Sequence, residues 1–177
     1  MKSQSTKRMV LLGCAVFGFL NVPSQSWARS TKPQCQIKHV PALLEGWKTA
    51  LNKSTPQNPS PVLDTYQSDA GRNQAVLLPT CANGPLVGQK EIKGYFEEFL
   101  KKSPQVEIDV DKAKINGNCD YAVASGLYEF TLKSPSPSPT VLLRARYTYV
   151  FHNRKIVQHH SSVEPDSGPG NVCPPKP

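Results

Sequence analysis

Between residues 104 and 163 apolar side chains recur at every second position, the spacing of strands that bury one face. Val106, Ile108 and Val110 alternate with polar residues, and Asn116-Gly117-Asn118 supplies a hairpin turn. Further strands are expected over 120–133, 141–152 and 155–163. The first two are joined by Ser134-Pro135-Ser136-Pro137-Ser138-Pro139, a low-complexity tract that reads as an extended, exposed hairpin loop. Asn153-Arg154 turns the second into the third. Four such strands make an antiparallel meander.

The preceding half changes period. Val40, Leu43, Leu44, Trp47 and Leu51 follow helical spacing over 37–51, and Pro41 suits the first turn, where its missing N–H costs nothing. Residues 52–61 are rich in Pro, Ser and Asn and read as a loop. A short helix is expected over 62–66. A brief buried strand follows over 75–79, turned back by Asn83-Gly84-Pro85. Gly88 then leads into a helix over 89–101 with Ile92, Tyr95, Phe96, Phe99 and Leu100 on its apolar face. Helix, hairpin, helix and meander together define an α+β layer arrangement. There is no internal repeat.

Residues 1–28 read as a secretory signal: Lys2, Lys7 and Arg8 form a basic segment, 9–20 an apolar stretch, and Ser26-Trp27-Ala28 a cleavage site. The apolar stretch falls short of the roughly 20 residues a spanning helix needs. Leu11-Leu12-Gly13-Cys14 has the look of a lipobox, but the apolar run continues past it, so Cys14 is assigned to the signal. Cleavage after Ala28 leaves 149 of 177 residues, enough for one domain, expected over 29–165 with a Pro/Gly-rich tail over 166–177. Three of 21 basic residues and none of 13 acidic ones leave with the signal, so the net charge drops from +8 to +5. That excess is scattered, without the basic stripe and interleaved aromatics of a nucleic-acid binder. A secreted or periplasmic protein without a membrane anchor is expected. Cys35, Cys81, Cys119 and Cys173 remain, an even number in an exported chain, which favours disulfides. None forms a C-x-x-C pair, and three pairings are open.

Alternation divides residues 143–151 into two faces: Arg144, Arg146, Thr148 and Val150 against Leu143, Ala145, Tyr147, Tyr149 and Phe151. One face is expected under helices and the other against a second subunit. If the helices cover the arginine face, Tyr147, Tyr149 and Phe151 become an interface stripe. His159 and His160 leave opposite faces of one strand, so they cannot chelate a single metal, and His39 and His152 add no ligand spacing. No metal and no cofactor is expected, since phosphate-loop and dinucleotide fingerprints are absent. No G-x-S-x-G occurs around Ser161 or Ser162 either.

The segment Ala145-Arg146-Tyr147-Thr148-Tyr149 and the ending His160-Ser161-Ser162 resemble the last strands of the association (hub) domain of calcium/calmodulin-dependent protein kinase II and its stand-alone bacterial relatives. Ala75-Val76-Leu77-Leu78-Pro79-Thr80, Gly94-Tyr95-Phe96-Glu97-Glu98-Phe99-Leu100 and Ser125-Gly126-Leu127-Tyr128-Glu129-Phe130 extend the likeness, which covers roughly residues 35–165. A tryptophan usual before the last strand is missing, replaced by the Arg154-Lys155 region. The resemblance implies a cystatin-like cone of the nuclear transport factor 2-like (SnoaL-like) superfamily, with helices packed on a curved mixed or antiparallel sheet. It also implies self-association as a homodimer or larger oligomer, and no kinase activity, since the chain contains no kinase catalytic elements.

By the same resemblance Cys35 pairs with Cys119, which leaves Cys81 for Cys173. A pocket between sheet and helices is implied, with Arg146, His160, Ser162, Tyr66, Tyr95 and Tyr128 as ligand-binding residues. Arginine suits a small carboxylate or polar ligand, because its planar fork donates two parallel hydrogen bonds. Arg146 has a second reading, a buried ion pair with Glu91 or Glu98. Both histidines likewise have one, as hydrogen-bonded structural residues. The superfamily also includes isomerases, dehydratases and polyketide cyclases, for which Asp64 and Asp69 are the candidate acids. In the pattern Tyr66-x-x-Asp69-Ala70 the aspartate more commonly caps a turn. A catalytic residue is not assigned.

Overall fold

The computed structural model describes residues 36–68, 74–80, 82–133 and 140–165. The proposed signal, the tail, Asp69, Ala70, Cys35, Cys81, Cys173 and the Ser-Pro tract lie outside them.

A 3-10 turn at Gln36–His39 runs into helix α1, Val40–Lys53. Val40, Leu44, Trp47 and Leu51 are buried at spacings of three and four, one stripe of a 3.6-residue period. The helix ends at Ser54, whose hydroxyl donates to Ala50 O (2.8 Å) and accepts from Val62 N (3.1 Å). That hydroxyl therefore stitches α1 to the one-turn helix α2, Ser60–Leu63. The expected helix over 62–66 thus starts and stops earlier, and Tyr66 leaves it for an extended bridge to Ile156. Strands β1 (Val76–Leu78) and β2 (Leu86–Val87) form the small hairpin, and α3, Gly88–Phe99, follows directly. Gly88 begins that helix at φ 83°, a left-handed backbone that glycine adopts without a Cβ penalty.

The remaining strands are β3 (Gln105–Ile108), β4 (Lys114–Gly117), β5 (Tyr121–Leu132), β6 (Val141–His152) and β7 (Lys155–Val163). Sheet order is β2-β1-β7-β6-β5-β3, with β4 beside β3 along the same edge of β5. The expected alternation through Val110 breaks there: Val110–Lys112 is a 3-10 turn that splits one edge strand into two. The pairs are antiparallel except β1 with β7, which run parallel, so the sheet is mixed. Asn153 and Arg154, both at positive φ (49° and 63°), form the two-residue turn whose twist matches a hairpin. A register shift beyond Val150/Phe151 leaves Val157 as the extra residue on β7. Asn52 ties α1 to the edge: its amide accepts from Val106 N (2.8 Å) and donates to Val106 O (3.0 Å), as a neighbouring strand would.

The helices cover the face of β6 that carries Leu143, Ala145, Tyr147, Tyr149 and Phe151, all buried. This corrects the interface stripe expected at Tyr147, Tyr149 and Phe151. Those rings pack under the helices within one chain, because burying them releases far more apolar area than burying two guanidiniums, whose desolvation is costly. Arg144 and Arg146 face water on the outer side of the sheet. Among the described residues no helix is long and apolar enough to cross a membrane.

Tyr147 lies over its cross-strand partner Gly126, where an added Cβ would sit 2.6 Å from the Tyr147 hydroxyl and 2.8 Å from Cζ. Gly126→Ala should therefore destabilise the domain by about 1–3 kcal/mol in urea melts. Tyr147→Phe should recover only part of that loss, since the contact to Cζ persists. An alanine variant as stable as wild type would contradict this packing.

Candidate functional site

A cavity of about 520 Å³ lies between α1, α3 and the inner face of the sheet. That is the size range of small-molecule sites. Its walls are apolar, with Phe96, Phe99, Phe130, Leu132 and Leu143 among them. Among the described residues that line it, the charged ones are Glu98, Lys101 and Lys102. All three belong to the end of α3 and the 3-10 turn after it (Leu100–Lys102), and Lys101 pairs with Glu98 at 2.6 Å. The charges thus ring the mouth, and the interior is neutral.

The polar floor is built on β7. His159 stands opposite Tyr149 in the β6–β7 register, so it points inward with the aromatic stripe. Its ring stacks on Tyr149 (centroids 4.2 Å apart) and meets Trp47 edge-on at 5.6 Å. Gln67 N donates to Ile156 O and Ile156 N to Thr65 O, both at 2.9 Å, which lays the 65–67 segment along β7. That bridge brings the Tyr66 hydroxyl to 2.7 Å from His159 Nδ1. His159 Nε2 lies 3.4 Å from the Tyr128 hydroxyl, and beyond it Ser161 Oγ and Thr80 Oγ1 meet at 2.8 Å.

Burial, with the nearby His160 as a smaller contribution, pushes the His159 pKa down to about 3, so the imidazole is neutral near pH 7. Burial likewise raises the Tyr66 and Tyr128 hydroxyls, keeping both protonated. The Trp47 indole N–H reaches no acceptor with hydrogen-bond geometry. It is nevertheless close enough to the Tyr66 oxygen to offset part of that rise. The Trp47 N–H beside the Tyr66 oxygen favours the arrangement in which the Tyr66 O–H donates to His159 Nδ1 and the remaining ring proton sits on Nε2. Nε2–H then points to Tyr128 at a distance too long for a strong bond.

Of the six expected ligand-binding residues, Tyr95 and Tyr128 line the cavity, and Tyr66 stands behind it on His159. Arg146, His160 and Ser162 do share a face, as expected, but it is the outer one: Arg146 pairs with Ser162 and Thr148 with His160 in the register. Arg146 is exposed and donates from Nη2 to Val163 O at 3.1 Å. Neither reading of it, the pocket cation or the buried ion pair, matches this position. Glu91 instead accepts from Val87 N at the start of α3, at 2.7 Å, and Glu98 pairs with Lys101. Asp64 is exposed after α2, its carbonyl accepting from Lys155, and Asp69 lies outside the described residues. His159, Trp47, Ser161 and Thr80 were not singled out as pocket residues. Parity alone does not find them. Counted from the turn at Asn153-Arg154, a regular hairpin would set Gln158 opposite Tyr149, and the extra residue Val157 shifts the register so that His159 and Ser161 join the apolar stripe of β6. Among the described residues no three His, Cys, Asp or Glu side chains cluster to hold a metal.

Helices seated in a curved mixed sheet, with a pocket between them, define a nuclear transport factor 2-like cone. Solved structures agree. A protein assigned as a dehydratase of the nuclear transport factor 2-like family from Streptomyces avermitilis matches at TM-score 0.60 and 13% identity, over 73% of this chain and 97% of that one. A ketosteroid isomerase-like protein from Erwinia carotovora atroseptica matches at TM-score 0.56 and 14% identity, over 72% and 95%. At such identities these two speak for the fold alone. A protein assigned as a calcium/calmodulin dependent protein kinase II association domain from Xanthomonas campestris goes further, at 34% identity and TM-score 0.60, over 73% of this chain and 88% of that one. The chain belongs to the calcium/calmodulin-dependent protein kinase II association-domain family of nuclear transport factor 2-like proteins. No family model matches the sequence, and no curated protein does so at a significant level.

Proposed function

We propose that this chain is an exported, self-associating association-domain module that holds a small organic ligand in its cone pocket and has no kinase activity of its own. The observation that carries the reading is the cavity itself: an aromatic-walled space of about 520 Å³ whose floor is a set of neutral hydrogen-bonding groups on His159 and Tyr128. A packed core without a ligand role would close such a space, since voids cost stability. Screening the purified protein by thermal shift against small cyclic compounds tests it, and a pocket that raises the melting temperature with none of them would speak against a binding module.

The second reading is an isomerase or hydro-lyase working in the same pocket. The aligned Tyr66, His159 and Tyr128 favour it, because two neutral donors near one point can stabilise a developing oxyanion. Deuterium uptake from solvent at the carbon beside a bound carbonyl would distinguish catalysis from binding.

Self-association is assigned to the outer face of the sheet. Leu127, at the middle of β5, is 52% exposed and Leu142, at the start of β6, 56%, and Val123 and Val150 lie on the same side half-buried. A symmetric dimer is the commonest way to cover such a face. Light scattering at micromolar concentration should give a dimer or larger, and Leu127→Glu with Leu142→Glu should shift it to monomer. A monomeric wild type would end this part of the proposal.

Export rests on the basic, apolar and small-residue pattern of residues 1–28, with the secreted or periplasmic space as destination. Cys119 is disulfide-bonded, which suits an oxidising compartment. Pairing with Cys35 is supported by the turn at Gln36–His39, which packs against β4 and β5 close to Cys119. Non-reducing peptide maps should show Cys35–Cys119, and Cys119→Ser should cost about 2–5 kcal/mol. A map joining Cys119 to Cys81 or Cys173 would refute the pairing.

A further inference from the structure

The two polar groups at the floor, His159 Nε2 and Tyr128 Oη, are 3.4 Å apart, and both residues line the cavity. At that separation their mutual bond is weak, and one oxygen can sit within hydrogen-bond reach of both. With the Trp47 N–H beside the Tyr66 oxygen, the Tyr66 O–H donates to Nδ1 at 2.7 Å and Nε2 carries the ring proton. The Ser161 hydroxyl beside the Tyr128 oxygen can donate to it, which leaves the Tyr128 O–H to give. Two donors therefore converge on one point, with no carboxylate to compete for them among the described lining residues of the interior. Nor does any described cation stand there: Arg146, the one expected, is on the outer face, and Lys101 and Lys102 are at the mouth. An anionic group placed at the floor would lose its water without gaining a counter-charge, whereas a neutral acceptor exchanges water for two donors at little cost. The walls on either side are aromatic and aliphatic, matched to a flat apolar body.

We propose that the pocket takes an uncharged molecule of one or two rings bearing a carbonyl oxygen, which accepts from His159 Nε2–H and Tyr128 O–H while the rings lie against Phe96, Phe99 and Phe130. This deepens the binding reading above and rests on it.

The test uses three probes of nearly one shape: 2-acetylnaphthalene, 2-naphthoate and naphthalene, titrated calorimetrically into the purified full-length protein at pH 7.5. The ketone should bind about tenfold or more tighter than either of the others, the effect of hydrogen bonds made inside a dry site. Tyr128→Phe, which removes one hydroxyl and keeps the ring, should weaken the ketone by roughly tenfold and leave naphthalene unchanged. His159→Gln is the companion variant, to be judged only after its fold is verified by circular dichroism. Equal binding of all three probes, or naphthoate tightest, overturns the carbonyl assignment and leaves the pocket standing. Binding of none of the three overturns both the assignment and the binding module.

Discussion

Lowering the pH from 7 to 4.5 should destabilise this domain by about 2–3 kcal/mol through His159 alone, and His159→Gln should remove that part of the loss. The folded-state pKa of His159 is depressed to about 3, against about 6.5 for an unfolded histidine. Between those values the unfolded chain binds a proton that the folded one does not, so stability falls as the pH falls. The slope reaches about 1.4 kcal/mol per pH unit, and above pH 6.5 this group contributes none. The cause is burial among Trp47, Tyr66, Tyr128 and Tyr149, with His160 adding a little in the same direction. Every other contribution to the pH dependence is common to both proteins, so the difference between wild type and variant isolates His159. Urea titrations of the two at pH 7 and pH 4.5 measure it. Parallel losses in both would mean that His159 is not held neutral in the folded state.

Trp47→Ala should cost about 3–5 kcal/mol, the range for deleting a large buried aromatic. Trp47 is buried on the inner stripe of α1, its ring 5.3 Å from Tyr149, 6.0 Å from Tyr128 and 5.6 Å from His159. It joins the helix layer to the sheet at the point where both meet the pocket. The space it leaves would open into the existing cavity and gain no compensating contacts, so the helix cannot relax into it without tilting. Trp47→Phe keeps a ring there and should lose less. The observable is the urea midpoint, with the slope of the transition unchanged. A loss below about 1 kcal/mol would contradict this packing.

Both predictions rest on residues that the amino-acid pattern identified only in part. Strands 141–152 and 155–163 are legible to the residue, because period-two alternation runs up to Asn153-Arg154 and those two residues adopt the positive φ that a tight hairpin demands. The stripes of α1 and α3 are legible for the same kind of reason, since their apolar spacing is that of one helix face. The break at Val110 is not, because an alternating run looks the same whether or not its backbone leaves the edge for one turn. Nor is the parallel pairing of Val76–Leu78 with β7, which joins segments some eighty residues apart.

The site shows where this division falls. That His160 and Ser162 lie with Arg146, and His159 with Tyr147 and Tyr149, depends on the extra residue Val157 in the β6–β7 register. Alternation alone establishes only that His159 and His160 leave opposite faces of one strand. It carries no information on which of the two faces the helices cover. That choice is made by the whole molecule. The apolar stripes of α1 and α3 pack on the face that buries most hydrocarbon and strands no charge, so the arginines turn to water and His159 goes inside. The tertiary structure then supplies what no local pattern holds: the Tyr66 hydroxyl, 93 residues away in the chain, becomes the hydrogen-bond partner of His159 Nδ1. The sequence by itself determined strands, helices, parity and family. The side on which the pocket lies, and hence its neutral chemistry, was decided only by packing, because burial is a property of the assembled core and not of any single strand.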